Sequence, residues 1–97
     1  MRSRYTAFVL EDEAHLLRSW HPSTRPAEVP FEPSQTWTGL EVLATVGGEL
    51  LDQEGAVEFR AHYERGGRAQ SLHELSRFVR DDKGRWVYLG AVEAEVD

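Results

Sequence analysis

The chain has 97 residues, 40% of them hydrophobic and 29% charged, which suits one globular domain with a single small core. Its formal net charge of −6 argues against a nucleic-acid partner, and the lack of cysteine removes disulfides, thiolate metal ligands and a thiol nucleophile. No apolar run approaches the roughly 18 residues of a membrane span, and the run behind Met1 is too short and too soon acidic for a signal peptide, so the expected setting is the cytoplasm.

Over residues 2–20, Tyr5, Phe8, Val9, Leu16, Leu17 and Trp20 fall near helical spacing. The acidic run Glu11-Asp12-Glu13 interrupts that pattern. Asp12 is suited to cap a second short helix, so a kink is expected there. Residues 21–35 hold all four prolines and read as an irregular connection, because proline withdraws a donor and restricts the residue before it.

From Thr36 the pattern changes to period two. Strands are expected over 36–46, 55–65, 68–80 and 85–93, with tight turns at Gly66-Gly67 and at 81–84. The Gly-Gly turn predicts Phe59 opposite Glu74 and Val57 opposite Ser76. A four-residue turn at 81–84 predicts Phe78 opposite Val87 and Ser76 opposite Leu89. The apolar pattern predicts Val42 beside Phe59 and Glu41 beside Arg60, since a slip of one residue would turn a strand inside out. The expected product is an α+β domain: N-terminal helices packed on one face of a curved, four-stranded antiparallel meander. The helix-facing side should carry Leu40, Val42, Val57, Phe59, Leu72, Phe78, Val87 and Leu89.

The segments "MRSRYTAFVLEDEAHLLRSWHPSTRP", "TWTGLEVL", "VEFRAHY" and "SRFVRDDKGRWVYL" together resemble the YchJ-like family over nearly the whole chain. The resemblance implies the cone-shaped fold of the nuclear transport factor 2-like, SnoaL-like and cystatin-like kind. In that fold a curved sheet wraps N-terminal helices and often leaves a pocket between them. It implies a fold rather than a reaction. Members of the family usually carry a cysteine-rich zinc-binding segment beside this domain. No cysteine is present here, so the metal-binding label does not carry over. The expectation is an isolated middle domain, or a start at a methionine that is internal in longer members.

One residue contradicts the expected burial pattern. Glu74 shares a face with Leu72, Ser76 and Phe78, so a carboxylate points towards the core. Two readings apply. In the first, Glu74 is a general acid/base in a pocket near Phe59, Tyr63 and Trp20, with its pKa raised by apolar surroundings and with His21 or Tyr63 assisting. In the second, Glu74 is a structural carboxylate held by an arginine of the first helix, Arg2 or Arg4, because a buried charge is costly unless paired. His21, just after the helix, is expected to contact a ligand or to cap the helix C-terminus.

No metal or other cofactor is expected. The four histidines, His15, His21, His62 and His73, have no metal-ligand spacing, and no serine nucleophile motif is present. Gly47-Gly48 and Gly66-Gly67 read as turn glycines. "STR" at 23–25 is a weak candidate for an anion contact. On the other face of the sheet the pattern places Trp37, Leu75, Trp86 and Tyr88, with Leu43 and Val79. That cluster implies either a homodimer through this face or cover by the loop at 21–35 with Val29 and Phe31.

Two functions from different classes follow. One is a non-catalytic module that binds a small apolar ligand or a protein partner. The other is a small cofactor-independent isomerase or hydrolase of the SnoaL-like kind, with Glu74 as its acid/base. A ligand-sized cavity reaching Glu74 would favour the enzyme; a filled interior would favour the module.

Overall fold

The computed structural model describes residues 1–96. The chain runs α1 (Arg2–Val9), α2 (Glu13–Arg18), then β1 (Gln35–Gly47), β2 (Glu54–Arg65), β3 (Arg68–Arg80) and β4 (Trp86–Val96). The strands form one antiparallel sheet in the order β1-β2-β3-β4. Two short helices on an antiparallel meander make the α+β architecture expected from the periodicities.

The break between the helices lies where the acidic run predicts it. Glu11 adopts φ +53, in the left-handed region, and reverses the chain. Asp12 then caps α2, its Oδ1 accepting from the His15 amide at 3.1 Å. Ser19 closes the other end by donating to the His15 carbonyl at 2.7 Å. Ala7, Leu16 and Val29 form the buried centre of the helical layer, with Phe8, Leu17, Trp20 and Phe31 packed round it. Fully burying one leucine contributes roughly 1.5–3 kcal/mol, and Leu16 is completely buried. Val29 and Phe31 therefore bring the proline-rich connection against the helices, so these two residues do not cover the opposite face of the sheet. Glu13 holds the connection there, accepting from the Val29 amide at 3.0 Å.

The chain after α2 pairs with the free edge of β4 at Tyr88 and Leu89. The Tyr88 amide donates to the Ser19 carbonyl and the His21 amide to the Tyr88 carbonyl, each at 2.8 Å, and Thr24 donates to the Leu89 carbonyl at 2.7 Å. At Tyr88 and Leu89 the edge therefore offers no free backbone template to another strand.

The pairing of β2 with β3 is the one expected: Phe59 lies opposite Glu74 and Val57 opposite Ser76. On β1, Val42 lies opposite Phe59 and Glu41 opposite Arg60, also as expected. The other predicted pairings are displaced. Thr38 and Leu43 sit in β-bulges, each adding one residue to β1. The first bulge turns Trp37 to the helix-facing side, opposite Tyr63. The last turn holds five residues rather than four. Asp81 accepts from the amides of Lys83 and Arg85 and from Arg85 Nε, all at 2.9 Å, and the wider turn closes with Arg80 opposite Trp86. Phe78 therefore faces Tyr88 instead of Val87, and Val87 faces Val79. One further shift, between Phe78 and Arg77, adds Leu89 to β4 and places Ser76 opposite Ala91 rather than Leu89.

Candidate functional site

Glu74 lies half-buried on the helix-facing side, across from the buried ring of Phe59. Its Oε2 accepts a hydrogen bond from the hydroxyl of Ser76, a residue with no exposure at all, and a second from Tyr88 at 3.4 Å. Both donors follow from the sheet. Ser76 is two residues along β3 and so shares the face. Tyr88 reaches that face through the five-residue turn.

Arg4 closes the site from above. Only 8% exposed, it extends from α1 over three rings, its guanidinium carbon 3.7 Å from the centroid of Tyr88, 4.4 Å from Trp20 and 5.3 Å from Phe8. Such contacts are attractive because the ring face is electron-rich, and desolvation strengthens them. Trp20 and Tyr88 also meet edge to face, with centroids 5.1 Å apart. Burial pushes the Arg4 pKa below the usual arginine value, while Tyr88 and the charge of Glu74 act against that shift. The Tyr88 hydroxyl is pushed up, first by burial and then by the neighbouring Glu74 carboxylate.

The expected arginine anchor is therefore present in altered form. Arg4, not the exposed Arg2, is the buried arginine that senses the charge of Glu74. No ion pair within 4.0 Å joins Arg4 to Glu74 among the described residues, and Arg4 Nη1 has no hydrogen-bond partner. The link runs through Tyr88, whose ring takes the cation and whose hydroxyl reaches the carboxylate.

The six candidate pocket residues thus separate. Arg4, Trp20, Phe59 and Glu74 come together. Tyr63 belongs to a second aromatic group, 5.5 Å from Trp37, which in turn meets Tyr5 at 6.1 Å and Phe8 at 6.2 Å. His21 belongs to neither. Its Nδ1 accepts from the Ser23 amide at 3.1 Å and pairs with the Ser23 hydroxyl at 2.7 Å. The helix end it was expected to cap is closed by Ser19.

Two cavities flank the site. One of about 390 Å³ lies among Phe8, Phe31, Glu32 and Trp37, and one of about 370 Å³ lies among Thr45, Val57, Phe78 and Trp86. Glu74 lines neither. No group of three or more metal-ligating side chains exists among the described residues.

The candidate interface also changes. Of Trp37, Leu75, Trp86 and Tyr88, only Leu75 remains on the face away from the helices. Trp37 and Tyr88 pack in the two aromatic groups, and Trp86 lies beneath Arg80, whose guanidinium carbon is 4.4 Å from its ring. The outer face instead carries charge pairs: His62 with Glu41, and His73 with Glu58 at 2.7 Å. Ser76 and Tyr88 are the site residues that sequence reasoning missed. The phase of Ser76 was legible, since it alternates with Glu74; the phase of Tyr88 was not.

The family described as YchJ, middle NTF2-like domain, matches residues 1–91. A protein of Streptomyces avermitilis named UPF0225 protein is 58% identical over 92% of the chain, and its Streptomyces coelicolor counterpart is 57% identical over 91%. A third, from Chromobacterium violaceum, is 46% identical over 97% of the chain. The chain spans 60%, 67% and 71% of the lengths of these three relatives. No solved structure is significantly similar to it. The chain belongs to the YchJ middle-domain family.

Proposed function

We propose that this YchJ-type middle domain is a non-catalytic binding or interaction module. The observation that supports this reading is the engagement of Glu74 by neighbours within its own domain. A general acid or base must reach a substrate proton at hydrogen-bond distance. Here the hydroxyls of Ser76 and Tyr88 take one oxygen of the carboxylate, and the buried Arg4 lies over the Tyr88 ring.

The turn between β1 and β2 supports the interaction half of the reading. Arg80 donates to the carbonyls of Asp52 at 2.8 Å, Gly84 at 2.9 Å, Leu50 at 3.0 Å and Glu49 at 3.3 Å. A single guanidinium thus fixes a turn whose tip presents Leu50 and Leu51 at 87% and 89% exposure. Because Arg80 already holds the backbone of this turn, little backbone freedom is lost when the two leucines dock.

The test is a thermal melt of Glu74→Gln. Glutamine keeps the shape and an acceptor but loses the charge that Arg4 and two hydroxyls face. On this reading the change costs roughly 1.5–3 kcal/mol, and each kcal/mol lowers the midpoint by roughly 4–8 °C in a domain of this size. A catalytic carboxylate in a strained setting gives the opposite sign. A Gln variant as stable as wild type at pH 7 overturns the proposal.

A further inference from the structure

Arg4 is held in a manner that differs from an ordinary buried ion pair. Its guanidinium lies against the ring faces of Tyr88 and Trp20, Nη1 has no hydrogen-bond partner, and the nearby carboxylate of Glu74 is engaged by two hydroxyls. The contributors from β3, β4 and the segment after α2 form a recess with aromatic walls and an acidic base. Such a recess selects a weakly hydrated, delocalised or alkylated cation over a metal ion, which requires oxygen or nitrogen ligands. The acidic base disfavours anions.

The element that delivers Arg4 has little stability of its own. α1 has eight residues and no side-chain cap at its N-terminus. An isolated helix of that length is unfavourable in water, so α1 depends on what it packs against, and Arg4 is its most deeply inserted charged group.

We propose that Trp20, Tyr88 and Glu74 form an organic-cation site that Arg4 fills from within the same chain, and that a guanidinium or alkylammonium group from another molecule competes with α1 for it. The inference rests on the non-catalytic reading of Glu74 and supplies the ligand class for that site. Arg4 acts as a resident ligand. Its displacement removes one of the contacts that hold α1, beside those of Ala7, Tyr5 and Phe8, and so couples occupancy by an outside cation to the stability of the helical layer.

The experiment uses Arg4→Ala, with methylguanidinium chloride as the probe and sodium chloride at equal concentration as the control. The variant should melt below wild type. Methylguanidinium should raise its midpoint saturably, with the logarithmic dependence of specific binding, where sodium chloride has no saturable effect. Tetramethylammonium should act in the same direction. The affinity should fall by about tenfold when Trp20→Leu is added, the loss expected for one desolvated cation–ring contact. A folded Arg4→Ala protein whose midpoint shows no saturable response overturns the inference. Should that variant not fold, the comparison passes to Arg4→Lys and Arg4→Met. Lysine keeps the cation and should be the more stable of the two; methionine equal to or above lysine overturns the site.

The two readings fail separately. Glu74→Gln as stable as wild type, together with a saturable response in Arg4→Ala, removes the structural role of the carboxylate and leaves an aromatic cation site. A destabilised Glu74→Gln, together with no response in Arg4→Ala, leaves the module and removes the cation site.

Discussion

Glu74 and Glu58 lie one residue out of register on neighbouring strands, face opposite sides of the same sheet, and are held in opposite ways. Glu74 faces the helices, where Ser76 and Tyr88 donate to it, Phe59 lies opposite and Arg4 stacks on the Tyr88 ring. Glu58 faces away from them and pairs with His73 at 2.7 Å, with both side chains about one third exposed. The pair of Glu41 with His62 is more open still, with the carboxylate side chain 55% exposed. On the outer face water remains an alternative partner for each charged group. On the inner face the protein supplies the partners of Glu74 Oε2 from Ser76 and Tyr88, and the fully buried Ser76 hydroxyl has no access to water. A broken contact inside therefore leaves a group stranded, whereas one outside is replaced by solvent.

The largest expected effect tests whether the two faces differ in burial at all. Phe59→Ala empties the inner wall opposite Glu74 and should cost about 3–5 kcal/mol in chemical denaturation. Leu75→Ala on the outer face should cost clearly less, because Leu75 is only half-buried. Equal losses would mean that the outer face is covered in solution, and would break the comparison.

Ser76→Ala removes a fully buried hydroxyl and leaves Glu74 with its longer bond to Tyr88. The expected loss is about 1–3 kcal/mol, the penalty for a buried group deprived of a partner. A loss of only a few tenths would place water at the Glu74 carboxylate and make the inner face resemble the outer one.

Tyr88→Phe keeps the ring beneath Arg4 and removes the hydroxyl, at a cost of about 0.5–1.5 kcal/mol near neutral pH. Its pH signature is sharper. The folded-state pKa of Tyr88 is raised, so the folded protein holds this proton more tightly than the unfolded chain. The corresponding stability is fully present below the unfolded tyrosine pKa of about 10 and is lost as pH rises from there through the folded value. Wild type should therefore lose stability above about pH 10 more steeply than Tyr88→Phe. Parallel curves for the two proteins would remove the burial of this hydroxyl.

The smallest effect is expected outside. Glu41→Gln should change stability by less than about 1 kcal/mol, and the difference should shrink as salt is added, because exposed pairs are screened. A larger, salt-insensitive loss would show that the His62–Glu41 pair is shielded from water.

The legible and illegible parts of the fold divide by the range of the interaction that decides them. The Asp12 cap, the turn at Gly66-Gly67 and the register of Phe59 with Glu74 were readable, because each depends on a few adjacent residues or on a turn of known length. The inward direction of Glu74 followed from alternation alone. Its partners were only partly readable: Ser76 shares the same alternation, but the choice of Arg4 over Arg2 depends on how α1 is rotated on the sheet.

Residues beyond a bulge or an irregular turn changed sides. Trp37 moved inward at the Thr38 bulge, and Tyr88 and Trp86 moved inward after the five-residue turn closed by Asp81. A period-two pattern survives the insertion of one residue, so the sequence by itself determined the strands, the order of the meander and the carboxylate on the helix-facing side. Only the tertiary structure decided the phase of the outer strands. Trp37 and Tyr88 reach their positions through contacts with α1, with the segment after α2 and with the neighbouring strand. Such long-range packing is what selects one of two locally acceptable phases, and with it the aromatic recess that receives Arg4.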